Sequence, residues 1–251
     1  MSAKPSGRLV ILTGPSCAGK SPLDRALRRF YPELRSRLKK LVLYNCRNVR
    51  PGELDGVDYY FRTREAVEAL AGDERYVLID VRGDLQALDL DALSATLAEG
   101  DAFFEGNPFV ARVLQTHPTL ERIERVSAFL SPLSRDEILD LKAPERHVAL
   151  PDLVTDVMRR KLLRRTRRQK GELSLKDLEE IERRASSAYR ELQEAWRFGC
   201  VIPCQDGEDS ENWDAFYYLV GAARRALLAF AALLEGERPD GVERWEEDLL
   251  P

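Results

Sequence analysis

From residue 9 onward, short apolar runs alternate with stretches whose apolar residues recur every three or four positions. Leu9-Val10-Ile11-Leu12-Thr13 reads as a buried strand. Leu23, Ala26, Leu27 and Phe30 then mark one face of a helix. Lys40 to Asn45 reads as a second strand and Arg64 to Leu70 as a helix closed by Ala71-Gly72-Asp73. Arg75 to Asp80 reads as a strand, Asp91 to Leu97 as a helix closed by Glu99-Gly100, and residues 101–108 as a strand ending in polar residues. Ser174, with Asp177 three positions on, caps a helix whose core face is Leu175, Leu178, Ile181, Ala185, Ala188 and Leu192. Gly199 to Cys204 is the last strand, and Asp214 to Leu234 reads as one long apolar helix. This alternation predicts an α/β chain.

The first strand and helix enclose Gly14-Pro15-Ser16-Cys17-Ala18-Gly19-Lys20-Ser21, the spacing G-x-x-x-x-G-K-[ST]. The glycines allow backbone approach, and the loop N–H groups with the helix N-terminus suit a polyphosphate. Lys20 is placed for the β- and γ-phosphates of ATP, and Ser21 for Mg²⁺. Pro22 fits a first helical turn, where its missing N–H has no intrahelical partner.

A second cluster follows. Residues 46–61 carry Arg47, Arg50, Glu53, Tyr59 and Tyr60 among turn residues. Arginine forks and tyrosine hydroxyls on one loop suit an anion, most simply a phosphate; a solvated surface loop is the plainer alternative.

Composition narrows the classes. The 251-residue chain has a net charge of −4, with 33% charged residues balanced in sign, which argues against nucleic acid as the main partner. Residues 1–7 are short and polar, and no run is apolar enough to span a membrane, so a cytoplasmic protein is expected. Cys17, Cys46, Cys200 and Cys204 lack metal-ligand spacing and are expected to be reduced thiols. The two histidines, His117 and His147, offer little for histidine-based catalysis.

Arg47-x-x-Arg50-Pro51-Gly52-Glu53-x-x-Gly56-x-x-Tyr59-x-Phe61 matches every fixed position of a guanylate kinase segment, R-x-x-R-x-G-E-x-x-G-x-x-Y-x-F. The first loop, GPSCAGKS, is similar to that family's GPSGxGKS. Val126 to Ser134 is similar to its strand and Pro-Ser turn before the lid helix. The chain therefore resembles the guanylate kinase family, strongly over the first 65 residues and loosely to about residue 220.

The resemblance implies a three-layer P-loop fold: a parallel sheet flanked by helices, with a monophosphate-binding region (about 41–90) and a lid. It implies one kinase domain over 1–235, an insertion and lid at about 138–184, and an acidic tail over 236–251. It implies ATP and Mg²⁺ at residues 14–21 and an acceptor phosphate, GMP by first choice, on Arg47, Arg50 and Tyr59, with Glu53 orienting that cluster. Asp80 is the candidate counterpart of an acid that reads the guanine. Glu105 is the candidate acid that binds magnesium through water, and Asn107 falls near the acceptor base and ribose. The loop Gln205 to Glu208 corresponds to one that runs near the adenine.

Where the family has Ser/Thr before the first arginine, this chain has Leu43-Tyr44-Asn45-Cys46. Asn45 can still bond a base; Leu43 cannot. A ribose 1,5-bisphosphate-type acceptor is therefore an alternative, as is a catalytically inactive binding module of the same family.

Residues 138–153 match the family poorly, and Pro144 and Pro151 suggest irregular chain there. Residues 158–170 are dominated by Lys and Arg. A basic lid over the ATP phosphates, a solvated helix face and a nucleic-acid patch are the three readings of this run. Arg164, Arg165, Arg167 and Arg168 are the lid candidates, Arg164 and Arg168 foremost with Lys20 and Arg47 as catalytic groups; Arg183 or Arg184 could join them.

Overall fold

The computed structural model describes residues 7–50 and 52–250. The N-terminal polar segment before Gly7 and Pro51 of the arginine loop lie outside them.

Along the chain the elements are β1 (Leu9–Thr13), α1 (Lys20–Phe30), α2 (Pro32–Ser36), β2 (Leu38–Lys40), β3 (Tyr44–Asn45), β4 (Tyr60–Phe61), α3 (Arg64–Glu68), β5 (Tyr76–Val81) and β6 (Asp84–Asp89). Then come α4 (Leu90–Glu99), β7 (Asp101–Gly106), α5 (Pro108–Thr116), β8 (Arg125–Ser131), α6 (Arg135–Leu141), α7 (Leu150–Lys170), α8 (Leu175–Leu192), β9 (Cys200–Pro203) and α9 (Gly221–Leu234). One sheet has the order β2-β7-β1-β8-β9, and a second has the order β4-β3-β6-β5. In the first, β2 with β7 and β8 with β9 pair in parallel. Every residue of β1 is buried, as a strand covered on both faces requires. The fold is an α/β P-loop arrangement, a parallel central sheet flanked by helices.

The chain divides into two compact units. One comprises the described residues through Ile11, Arg37–Glu105 and Phe109–Arg125. It holds the second sheet, in which β5 and β6 form an antiparallel hairpin and β3 joins β6 with Asn45 opposite Gln86. The other comprises Leu12–Ser36, Gly106–Pro108 and the described residues from Val126 on. It holds the glycine loop and the antiparallel helices α7 and α8.

Four expectations change. The apolar run 40–45 is not one strand: β2 ends at Lys40 in the first sheet and β3 starts at Tyr44 in the second. The Leu41 N–H still bonds the Phe103 carbonyl, but by Leu43 the carbonyl accepts from Tyr60 instead. Pro151 does not mark irregular chain but lies in the first turn of α7, where proline is tolerated. The helix expected from Asp91 begins a residue earlier and runs to Glu99, capped by the Asp89 carboxylate on the Ala92 N–H. The long helix expected from Asp214 starts only at Gly221. Residues before it are diverted by Asp206, whose side chain accepts from Ser210, Asn212 and the Ala223 N–H at 2.8–3.0 Å. Phe216, Tyr217 and Tyr218 in that diverted segment are exposed.

The acidic tail docks on the second unit. Glu243 and Val201 exchange both backbone hydrogen bonds at 2.8 Å, which adds a bridge to the edge of β9. Trp245, Leu249 and Leu250 are buried. The Glu243 carboxylate accepts from the Trp245 indole and the Arg135 N–H, and the Lys142 ammonium bonds the Leu249 carbonyl, so the tail fastens α6.

Candidate functional site

The glycine loop takes its shape from close backbone approaches. Gly14 has φ 142°, and a Cβ there would lie 2.3 Å from the Leu130 carbonyl oxygen. Gly19 has φ 102°, and a Cβ there would lie 2.8 Å from the Asp206 carbonyl oxygen. Neither position tolerates a side chain. Cys17 adopts the left-handed region at φ 66° although it is not glycine, and it is fully buried. Burial first, then the Glu208 charge, pushes its thiol up to about 12, so it is not a nucleophile at neutral pH.

Lys20, only 8% exposed, donates to the Gly14 and Pro15 carbonyls at 2.8 and 2.7 Å. Ser21 is half-buried in the first turn of α1, which carries no acidic residue there. The positive end of the helix dipole is thus left for an anion.

Two arginines converge on this loop. Arg184 on α8, 7% exposed, donates from Nε to Ser16 Oγ at 3.1 Å. Arg165 on α7 reaches the Glu208 carboxylate at 2.6 Å, and its charge acts on Cys17. The two foremost lid candidates are placed otherwise. Arg164 is 70% exposed and lies 3.6 Å from Asp209; Arg168 is 52% exposed and lies 3.2 Å from Asp214. Arg167 is exposed, and Arg183 pairs with Glu180 on its own helix. Arg165 and Arg184 were legible only as members of a set. Which of them point inward depends on helix rotation, which a run of basic residues leaves open.

The arginine loop belongs to the other unit. Arg47 forms a bidentate fork on Glu53, with N···O distances of 2.7 and 2.6 Å. The same carboxylate accepts the Arg50 N–H at 2.9 Å. Burial would raise Glu53, but the Arg47 hydrogen bonds, the Arg50 N–H and both arginine charges outweigh it and hold its pKa below the ordinary carboxylate value. Arg47 lies 5.0 Å from the Tyr59 ring centre and 5.3 Å from that of Phe61. Burial raises the Tyr59 phenol, opposed by the charges of Arg47 and Arg50 and reinforced by those of Glu53 and Glu105. Arg47, Arg50, Glu53, Tyr59 and Glu105 thus form one electrostatic cluster. Gly56, at φ 75°, makes the turn that returns Tyr59 to it.

Asn45 is fully buried beside this cluster. Its Oδ1 accepts the Arg47 N–H at 3.1 Å, while its Nδ2 has no hydrogen-bond partner. Leu43, two residues before it, is 1% exposed and apolar. Asp80 is exposed near the end of β5 and accepts the Gly83 N–H at 2.9 Å, which caps the β5–β6 turn. Asn107, in the other unit, donates to the buried Glu191 carboxylate at 3.0 Å, which also accepts from Ser187 at 2.8 Å. No group of three or more His, Cys, Asp or Glu able to hold a metal occurs among the described residues. The four cysteines are free thiols. No helix among the described residues is long and apolar enough to cross a membrane.

A buried strand, a loop whose glycines admit no side chain and a helix opening on Gly-Lys-Ser define a P-loop protein of the nucleotide kinase class. A family model described as guanylate kinase matches residues 6–78. Similar curated proteins include guanylate kinases of Synechococcus (38% identical over 135 residues), Corynebacterium jeikeium (36% over 143) and a Mycobacterium (36% over 154). These matches cover 53%, 54% and 59% of this chain, and 58%, 70% and 73% of the three relatives. The crystal structure of guanylate kinase from Anaplasma phagocytophilum shares the fold, with TM-score 0.54 and 17% identity over 93% of this chain and 87% of that one. The chain belongs to the guanylate kinase family.

Proposed function

We propose that this chain transfers the γ-phosphoryl group of ATP to a phosphorylated acceptor, GMP being the first choice. The observation that carries this reading is the Arg47–Glu53 fork, which presents a buried guanidinium beside Arg50 and Tyr59 on a loop separate from the glycine loop. A carboxylate that fixes the arginine leaves its remaining N–H groups and its charge oriented for a phosphate. In this reading Gly14 to Ser21 hold the ATP phosphates, and Lys20, Arg165 and Arg184 stabilise charge on the transferring group. The acceptor oxygen attacks in line with no covalent enzyme intermediate, so positioning and charge supply the rate.

Magnesium fits the hydroxyl oxygen of Ser21, half-buried in the first turn of α1. When bound, it would neutralise charge on the phosphates. Lys20 and the arginines act through their own donors in either case.

Buried Leu43 favours a second reading of the acceptor. An apolar side chain there offers a base no hydrogen bond, so an acceptor without a base, such as ribose 1,5-bisphosphate, needs nothing from it. ADP formation should be measured with ATP, Mg²⁺ and a panel of GMP, dGMP, AMP, CMP, UMP, dTMP and ribose 1,5-bisphosphate. Turnover with GMP supports the first reading. Turnover with ribose 1,5-bisphosphate alone replaces the acceptor. ATP binding without turnover on any acceptor would leave a binding module.

A further inference from the structure

Residues 205–214 leave β9 and cross the glycine loop before α9 begins. The segment is rooted at both ends. Asp206 is tied to Ser210, Asn212 and the Ala223 N–H, and the Trp213 indole donates to the carbonyls of Gly207 and Asp206 at 3.0 and 3.2 Å. Between the roots the chain lies against the loop itself. A Cβ on Gly207 would come 2.3 Å from the Cys17 carbonyl oxygen, and one on Gly19 would come 3.0 Å from the Trp213 ring.

The acids of this strap are matched to one face of α7. Lys161, Arg164, Arg165 and Arg168 follow the spacing i, i+3, i+4, i+7, so they share that face. Lys161 bonds the Gln205 carbonyl and lies 3.9 Å from Asp209; Arg164 lies 3.6 Å from Asp209, Arg165 2.6 Å from Glu208 and Arg168 3.2 Å from Asp214. Two pairs are enclosed: the side chains of Arg165 and Glu208 are 14% and 16% exposed, and those of Lys161 and Asp209 13% and 6%. Burial would raise Glu208, but Arg165, Lys20 and Arg184 together hold its pKa below the ordinary carboxylate value. Glu208 thus sits among the same three cations that the proposed transfer assigns to phosphate. The fit is incomplete for a carboxylate, because Arg165 Nε is buried with no hydrogen-bond partner. A phosphate brings more acceptor oxygens than a carboxylate and could take it.

We propose that residues 207–213 form an acidic strap whose Glu208 carboxylate occupies the phosphate position at the glycine loop, so that the strap and a nucleoside triphosphate exclude one another. This inference rests on the reading of the glycine loop as an ATP site. The strap's closed state lowers apparent ATP affinity by the fraction of molecules in which it is open. ATP binding in turn releases the strap and frees the basic face of α7.

The test is calorimetric titration of MgATP, and of magnesium tripolyphosphate as a probe without base or ribose, into the wild-type chain and Glu208→Gln. Tighter binding of both probes by the variant, about tenfold for a strap closed in nine molecules of ten, supports the strap; so does binding by the variant alone. Equal or weaker binding by the variant, with wild-type binding intact, overturns the strap and leaves the ATP site standing. No binding by either protein at millimolar ligand overturns the ATP site and the strap with it. Hydrogen exchange on the wild-type chain needs no variant. Amides of residues 207–213 should exchange faster when ATP saturates the protein, and unchanged exchange under saturation overturns the strap.

Discussion

The Arg47 guanidinium and the Glu53 carboxylate meet in two parallel hydrogen bonds, and Glu53 also takes the Arg50 N–H. One carboxylate therefore fixes both the side chain of the first arginine and the backbone of the second. The arrangement predicts that Glu53→Gln raises the acceptor's KM by about tenfold or more while ATP affinity stays within about twofold. A charged hydrogen-bond pair of this kind contributes about 1.5–3 kcal/mol, so the midpoint of thermal unfolding should also fall by several degrees. Steady-state kinetics with each substrate varied, beside a melting curve, checks both. An equal loss for ATP would mean that the loop does not serve the acceptor.

Lys20→Ala should reduce phosphoryl transfer by at least about a hundredfold, the scale of losing one positioned donor to a developing charge. The overall fold should persist, because Gly14 and Gly19 still admit the loop's backbone conformation, although the Gly14 and Pro15 carbonyls lose the ammonium as a donor. Turnover and the circular dichroism spectrum are to be measured on one sample. Undiminished turnover would remove the glycine loop from the reaction.

Among the basic residues of α7 and α8, Arg165→Ala and Arg184→Ala should lower kcat by about a hundredfold or more. Arg164→Ala and Arg168→Ala, whose side chains are largely exposed, should change it by less than about threefold. The reverse ranking would return the phosphate role to the exposed pair.

Acid should destabilise the chain through identifiable groups. Glu53, Asp206 and Glu208 all have folded pKa values below their ordinary ones. A depressed carboxylate contributes stability that is fully present above its unfolded pKa and is lost as pH falls through the folded value. The unfolding midpoint should therefore hold near neutrality and decline below the ordinary glutamate value of about 4.5. Glu53→Gln should flatten that decline, since the glutamine does not titrate. A decline of unchanged steepness in the variant would assign the acid sensitivity to other carboxylates.

The tail makes a prediction of stability alone. Trp245 is 4% exposed, and its indole holds the Glu243 carboxylate that also takes the Arg135 N–H. Trp245→Ala should cost about 3–5 kcal/mol, the range for removing a large buried aromatic. Denaturant unfolding measures it. A loss below about 1 kcal/mol would mean that the tail adds little to the body.

The sequence by itself determined whatever depends on fixed spacing along a continuous segment. Gly14, Gly19 and Lys20 lie within one turn of chain, and Arg47 to Phe61 close on themselves through local turns, so residue order alone brings those groups together. The capped helix at Ser174 is legible for the same reason, since Ser174 and Asp177 need only each other. Tertiary structure decided what depends on direction and on distant partners. The apolar run at 40–45 splits because its two ends pair with different strands, which hydrophobicity cannot distinguish. Arg165 is enclosed against Glu208 while Arg164, its neighbour on the same face of α7, stays largely exposed beside Asp209, because helix packing fixes which side chain lies over the loop. Asp80 caps the turn after β5, since the β5–β6 register sets where it lies. Glu208 reaches the glycine loop from nearly two hundred residues away, because closing a long loop costs little more than closing a short one and the basic face of α7 offers its acids partners.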